Sequence, residues 1–199
     1  MTNIADTRTR ILEAAMFAIS ENGEGAIRVQ KIAESVGVRE PSVYHFFKNR
    51  EALVEAAHVE RYRRSFIEMV QPFQAGVALS DNAEDFQRIV KKILSLIYVP
   101  QREKIRSIRI SVMGAAQASP AIAEEIRQIN YGICSEIAAV FIAAQAKNWM
   151  RKDIDPLVSA YWIIGQFIGR VAAEMDQDRV DLDKWNEASE GAILHHLFG

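Results

Sequence analysis

The chain has 199 residues, of which 49% are hydrophobic, and its formal net charge at neutral pH is −2. These values are typical of a globular protein with a substantial buried core. The N-terminal residues are polar, and no apolar run approaches the roughly 18 residues that cross a bilayer, so we expect a cytoplasmic protein with no membrane partner. A single cysteine, Cys134, excludes an intrachain disulfide, and its apolar surroundings predict a small buried side chain.

Helical periodicity dominates the chain. Apolar residues return at steps of three and four, and no alternation of strand length stands out, which predicts an all-α fold of about nine helices. A first helix is predicted from about Arg8 to Asn22, with Gly23 just past its end, where a left-handed cap is common. Two short helices follow, over roughly Val29–Val36 and Pro41–Phe47, with Gly37 in the turn between them.

A long helix is predicted next, from Asn49 to about Val70. Turn-forming residues then break the pattern, and we expect a hinge there between a small head and a larger body. The breaking residues are Pro72, Gly76, Ser80, Asp81 and Asn82. Five more helices are predicted beyond them. Two have clear starts at Ser119-Pro120 and Asp155-Pro156, because the first residue caps free N–H groups while proline suits the first helical position.

The two short helices and the glycine between them form the pattern of a helix-turn-helix. Ile32 and Ala33 are expected to pack inward, and Val43 and Phe47 to hold the second helix against the first. The other side of that helix then exposes donors, acceptors and flat rings that suit base edges and phosphates. These exposed residues are Arg39, Glu40, Ser42, Tyr44, His45 and Lys48. Arg39, Lys48 and Arg50 form a local basic patch. Such a patch is enough for phosphate contact in an acidic chain, so the motif predicts binding to double-stranded DNA.

At these residues the sequence resembles the TetR family of bacterial transcriptional regulators. The resemblance covers roughly the first quarter of the chain and includes Ile32-Ala33, Gly37-Val38, Tyr44, Phe46-Phe47 and the run from Lys48 to Leu53. It implies a three-helix DNA-binding domain over residues 1–52, joined by the long helix to a helical ligand-binding and dimerisation domain over residues 53–199. It also implies a homodimer on a palindromic operator and a small-molecule effector bound in the body.

Carried over position by position, the resemblance implies a set of DNA contacts. They are Gln30 for a base, Glu40, Pro41, Ser42, Tyr44 and His45 on the recognition helix, and Lys48 for a phosphate. Arg28 and Arg39 stand where the family usually has a Ser or Thr cap. Each lost cap costs about 1 kcal/mol, and each arginine adds a guanidinium beside the DNA-facing surface. We therefore expect Arg39 to contribute to sequence preference and Arg28 to contact phosphate.

The body offers candidates for a ligand cavity, although aromatic residues at helical spacing also form ordinary cores. The candidates are Tyr98, Arg109, Met113, Asn130, Tyr131, Phe141, Trp162, Gln166 and Phe167. Because this set is mostly apolar, we expect a small and largely apolar ligand. The i,i+4 pair of Arg170 and Glu174 is interpreted as surface support.

Gly165 and Gly169 lie four residues apart on an apolar helix predicted over Pro156–Met175. The resemblance implies a dimer face on the last two helices, so we expect both glycines in the interface. No metal and no cofactor are expected, since His45 has no second ligand at helical spacing, and adjacent histidines such as His195 and His196 point about 100° apart. No catalytic constellation predicts an enzyme. Two functions remain open, a ligand-responsive repressor and a ligand-independent dimeric DNA-binding regulator.

Overall fold

The computed structural model describes the backbone of residues 4–199, and the side chains of this range apart from residues 4–5, 67–72 and 76. Over residues 4–199 the chain forms nine α-helices, two short 3-10 helices and no strand. The α-helices are α1 (Ile4–Asn22), α2 (Val29–Ser35), α3 (Glu40–Phe46), α4 (Arg50–Ala78), α5 (Ala83–Ile97), α6 (Glu103–Ala116), α7 (Pro120–Ala146), α8 (Pro156–Glu174) and α9 (Leu182–Phe198). The 3-10 helices are Glu24–Ala26 and Pro100–Arg102. The predicted all-α fold is confirmed.

The two predicted helix starts at Ser119-Pro120 and Asp155-Pro156 are confirmed, whereas α1 begins at Ile4, earlier than the predicted Arg8. Ser119 Oγ accepts a hydrogen bond from the Ile122 N–H at 3.3 Å, so it caps α7, and Asp155 caps α8 in the same way. Gly23 and Gly37 have φ of 74° and 71°, the left-handed conformation that glycine adopts without strain.

The predicted end of the long helix near Val70 is wrong, because α4 continues to Ala78. A proline inside a helix removes one backbone donor, but packing further along outweighs that loss. Phe73, just beyond Pro72, is only 8% exposed and belongs to the body core. The break falls instead at Ser80–Asn82, where the Asn82 side chain accepts from the Asp85 N–H and starts α5.

Buried apolar residues form two separate clusters, one in the head and one in the body. The head cluster runs along the chain from Ile11 to Ala57, and the body cluster begins at Tyr62. Both include residues of α4, so this helix connects the two cores. The domain limits at residues 52 and 53 remain a prediction.

Helix α7 is long and apolar enough, by length and composition alone, to cross a membrane, which the sequence analysis did not anticipate. Core helices of globular proteins have the same properties. Here α7 packs against α4, α6 and α8 and buries Cys134 and Phe141. Cys134 is buried as predicted, and burial raises the pKa of its thiol to about 11.

The interpretation of Arg170 and Glu174 as surface support is wrong. Their side chains are 4% and 6% exposed. Arg106 of α6 also reaches the Glu174 carboxylate, with its Nε donating to Oε1 at 2.9 Å. Two guanidinium groups therefore share one buried carboxylate, and Arg170 Nε also donates to Asn186 Oδ1 at 2.8 Å. This network ties α6 and α9 to the end of α8. The i,i+4 spacing is the same in surface and buried pairs, so spacing alone did not distinguish them.

Candidate nucleic-acid interface and internal cavity

The head fixes α3 so that one side is buried and the other is open. Val43 and Phe47 are 1% and 4% exposed and pack in the head core. The turn before α3 is closed by the Val38 N–H, which donates to Ala33 O at 3.0 Å after the left-handed Gly37. The orientation of α3 is thus set by the head core and by the turn.

The open side of α3 carries the residues predicted there. Arg39, Pro41, Tyr44, His45 and Lys48 are exposed, and Glu40 and Ser42 are half-buried. Among the described side chains, none forms a hydrogen bond or ion pair with Arg39 or Lys48. Two cations and the rings of Tyr44 and His45 are therefore presented to solvent together.

Tyr44 and Glu40 lie one helical turn apart and interact. Partial desolvation raises the pKa of Tyr44, and the charge of the Glu40 carboxylate and its hydrogen bond with the phenol raise this pKa further. The phenol therefore stays protonated and can donate a hydrogen bond. Glu40 supplies an acceptor that suits the amino group of cytosine.

Arg28 and Gln30 on the α2 side are exposed but already engaged. Arg28 Nη1 donates to Gly25 O at 2.7 Å, so its guanidinium is folded back on the 3-10 helix that precedes α2. Gln30 Nε2 donates to Glu34 Oε1 at 2.9 Å, which leaves the amide oxygen and the second N–H of Gln30 without a partner among the described residues. Neither α2 nor α3 receives a side-chain cap from Arg28 or Arg39, as the sequence predicted.

Arg50 at the start of α4 has a role that the sequence analysis did not identify. Its Nη2 and Nε donate to Glu24 O at 2.8 Å and to Ile27 O at 3.0 Å. The Nε2 atom of His58, about two turns after Arg50 on α4, lies 3.1 Å from the Glu24 carboxylate. Helix α4 therefore holds the segment that leads into α2. The only sequence signal was the position of Arg50 in the basic patch.

A second contact joins the body to the head part of α4. Ser119, the cap of α7, donates its hydroxyl proton to Glu55 Oε1 at 2.6 Å. The start of α7 is thus bound directly to α4.

The body contains a cavity of about 50 Å³ between α4, α5, α7, α8 and α9. The described residues that line it are all apolar. They are Phe73, Val90, Ile93, Leu94, Ile97, Ile137, Phe141, Ile163, Phe167, Ile193 and Leu197. Two of the nine predicted ligand residues, Phe141 and Phe167, are among them. The sequence signal for the remaining lining residues was the apolar periodicity of the five helices that carry them, and this periodicity does not distinguish a cavity from a packed core.

The other predicted ligand residues lie elsewhere. Tyr98 is buried beside Phe167, its hydroxyl is 2.6 Å from Ser189 Oγ, and burial raises its pKa to about 12. Tyr131 and Trp162 are 58% and 37% exposed on the outside of the body. Met113 and Gln166 are partly buried outside the cavity lining. Arg109 and Asn130 belong to a polar cluster between α4, α6 and α7, described below.

Small and apolar residues form an exposed surface along α8 and α9. Its members are Val158, Tyr161, Trp162, Gly165, Gly169 and Ala172 on α8, and Ala188, Gly191, Ala192 and His195 on α9. A Cβ atom built at Gly165, Gly169 or Gly191 meets no atom within 4 Å. These glycines thus leave room only for something outside the single chain.

Comparison with known proteins identifies the head. Residues 11–57, which span most of α1, all of α2 and α3 and the start of α4, match the family model described as "Bacterial regulatory proteins, tetR family". The head is thus a DNA-binding domain of the TetR family. The chain is a DNA-binding transcriptional regulator, and the motif that carries the match contains the exposed surface of α3.

Similarity to curated members of the TetR family extends over the whole chain. The HTH-type transcriptional regulator UidR of Escherichia coli K12 is 26% identical over 198 residues, which cover 100% of this chain and 94% of that protein. The class G tetracycline repressor of Vibrio anguillarum is 23% identical, over 94% of this chain and 80% of the repressor.

Solved structures show the same fold. Salmonella enterica GusR aligns over 99% of this chain and 98% of its own, with a TM-score of 0.72 and 21% identity. A TetR-family regulator from Mesorhizobium loti aligns over 100% of both chains with a TM-score of 0.75 and 15% identity. The SmeT–triclosan complex aligns over 97% of this chain and 92% of SmeT, with a TM-score of 0.66 and 18% identity.

Proposed function

We propose that this TetR-family protein is a cytoplasmic, homodimeric repressor that binds a palindromic double-stranded operator under the control of a small, largely apolar ligand. The exposed side of α3 is the observation that carries the proposal. Arg39 and Lys48 are free of described partners there, while Val43 and Phe47 fix the helix from behind. We assign the protein no enzymatic activity.

The apolar cavity supports a ligand of the same character. Among the described residues its lining has no polar side chain, so a bound molecule gains affinity by burying apolar surface. At about 50 Å³, the cavity is smaller than the roughly 300–1,000 Å³ of typical ligand sites. Ligand entry therefore has to enlarge it by moving the helices that line it. One structural neighbour, SmeT, was solved with triclosan, which supports a small ligand in this fold.

Helix α4 supplies a route from the ligand to DNA. It contributes Phe73 to the cavity lining and, at its other end, Arg50 to the contacts that hold the segment before α2. A ligand that displaces Phe73 moves the same helix that positions the head. In a dimer, this movement changes the distance between the two α3 helices and hence the fit to two half-sites.

The exposed surface of α8 and α9 supports the homodimer. Apolar residues and glycines lie there side by side, and a glycine stripe lets two helices approach closely. A two-fold axis through this surface pairs it with its own copy, as in most soluble dimers. It also makes the two heads equivalent, which a palindromic operator requires.

Selection of bound sequences from a random pool of DNA tests the proposal. We expect an inverted repeat to be recovered by the full-length protein. Lys48→Ala on the α3 side should weaken binding and reduce its salt dependence, because one phosphate contact is lost in each half. Lys152→Ala, an exposed lysine of the body, is the matched control and should bind like the parent. Recovery of no common sequence, or equal behaviour of the two variants, would refute the proposed DNA-binding surface.

A further inference from the structure

Arg109 of α6 is a buried cation with neutral partners. It is 3% exposed. Its Nε donates to Ser65 Oγ at 3.2 Å and its Nη2 donates to Ser65 O at 2.6 Å. Its guanidinium lies over the Phe66 ring, 3.8 Å from the ring centre. None of these partners carries a negative charge.

The charge of Arg109 is retained at neutral pH. Burial lowers its pKa to about 10, which still leaves the guanidinium protonated at pH 7. After burial, the described groups that act on this pKa are the phenol of Tyr62, which raises it, and the cations Arg102 and Arg106, which lower it. The other buried arginines of the body differ from Arg109 in having an anionic partner, because Arg106 and Arg170 share the Glu174 carboxylate. Burying an unpaired charge is costly, and an anion that reaches Arg109 would relieve this cost.

A second free donor lies in the same polar cluster. The Tyr62 hydroxyl donates to Asn130 Oδ1 at 2.7 Å, which fixes the orientation of the Asn130 amide. The amide N–H groups of Asn130 donate to no acceptor among the described residues. Burial raises the pKa of the Tyr62 phenol, and the hydrogen bond to Asn130 and the charge of Arg109 lower it again in part. Arg109 is thus close enough to Tyr62 to affect its ionisation. Arg109 and Asn130 therefore belong to one cluster between α4, α6 and α7.

The cluster and the apolar cavity lie along the same faces of two helices. On α4, Phe66 contacts Arg109 and Phe73 lines the cavity, seven residues further on. On α7, Asn130 belongs to the cluster and Ile137 lines the cavity, also seven residues further on. Seven residues are about two helical turns, so the cluster and the cavity are separated by about 10 Å.

We propose that the effector is an amphipathic organic acid, whose carboxylate binds Arg109 beside Asn130 and whose hydrocarbon part enters the apolar cavity. This inference rests on the proposed control by a ligand and adds the chemical class of that ligand. An anionic group at one end matches a guanidinium that has no anionic partner among the described side chains, and an apolar chain of about 10 Å spans the distance to the cavity along α4.

Calorimetric titration of the full-length protein with octanoate and with octan-1-ol tests the inference without DNA. The two probes have the same chain and differ in the charged head. We expect octanoate to bind at least about tenfold more tightly, because hydrogen bonds to charged groups are worth that much. In Arg109→Met this preference should disappear while octan-1-ol binding is retained. Arg127→Met, an exposed arginine of α7, should behave like the parent.

Two further readouts separate this role from a structural one. Arg109→Met should raise the Tm of the protein without ligand, since it removes an unpaired buried charge, whereas loss of a structural contact would lower it. Asn130→Asp keeps the acceptor for Tyr62 but adds a carboxylate near Arg109, and it should abolish octanoate binding selectively.

Equal affinity of the parent for the two probes, or unchanged octanoate binding in Arg109→Met, would overturn the inference. Either result would leave operator binding intact, so it is distinguishable from failure of the proposed DNA-binding function, which the selection from random DNA measures separately.

Discussion

Leucine in place of Gly165 or Gly169 on α8 is expected to weaken the dimer without harming the fold of the single chain. A Cβ atom at either position meets no atom of the same chain within 4 Å. Glycine inside a helix is less favourable than alanine by about 0.5–1 kcal/mol. A side chain at these positions should therefore leave the isolated chain as stable as before or slightly more stable.

The expected loss arises between the two copies. Overpacking a close contact costs ~1–3 kcal/mol, and a two-fold axis presents each substituted residue twice. The total of ~2–6 kcal/mol corresponds to an increase in the dimer dissociation constant of roughly 30-fold to 20,000-fold. Gly191→Leu on α9 should act in the same direction, since its Cβ position is equally open.

Sedimentation equilibrium over a range of concentrations measures this constant. Gly114→Leu on α6 is the matched control, because Gly114 is also an open helical glycine but lies off the α8–α9 surface. Unchanged dimerisation of Gly165→Leu and Gly169→Leu would refute the assignment of this surface as the interface. Unfolding of these variants as single chains would refute the argument from open space.

Three further predictions follow from the contacts. Arg39→Ala should reduce the base preference at one operator position by ~1–3 kcal/mol. Arg28→Ala should instead weaken binding to selected and to scrambled DNA equally, when both are measured at the same salt concentration. Unchanged affinity and unchanged base preference in Arg39→Ser would contradict this role for Arg39. Glu174→Gln should lower the free energy of unfolding, measured by denaturant titration, by about 3–5 kcal/mol, because it leaves two buried guanidinium groups unpaired; an unchanged midpoint would contradict it. Burial, followed by the charge of Arg151, holds the pKa of His196 in the folded protein below 6.5. The unfolded chain therefore binds a proton at this histidine more readily than the folded protein does. The folded state is consequently destabilised as the pH falls through about 6.5. His196→Gln should show a weaker fall of Tm over that range, and an equal fall would exclude this histidine.

The sequence predicted what local chemistry determines. Gly37 permits the left-handed turn that ends α2, and Ser119 and Asp155 cap the helices that directly follow them. The turn and the caps act within a few residues, so they can be read without the tertiary structure. The head is built largely from such signals.

The body depends on contacts between distant residues, and there the sequence was less informative. Arg170 and Glu174 have the spacing of a surface pair, and only the arrival of Arg106 from α6 makes them a buried network. Trp162 and Phe167 lie on the same apolar helix, yet one is exposed and the other lines the cavity. A helix that is apolar on most sides does not reveal which side faces a cavity and which faces a second copy.

The division into a head core and a body core explains the importance of α4 for control of DNA binding. Leu53 and Ala57 pack in the head core and Tyr62 and Phe73 in the body core, so one continuous helix belongs to both. The 24 residues from Arg50 to Phe73 span about 35 Å of helix. We infer that movement of Phe73 by a ligand reaches the segment before α2 through the Arg50 hydrogen bonds, without any contact between ligand and head. The helix that the sequence analysis ended too early is therefore the element on which the proposed regulation depends.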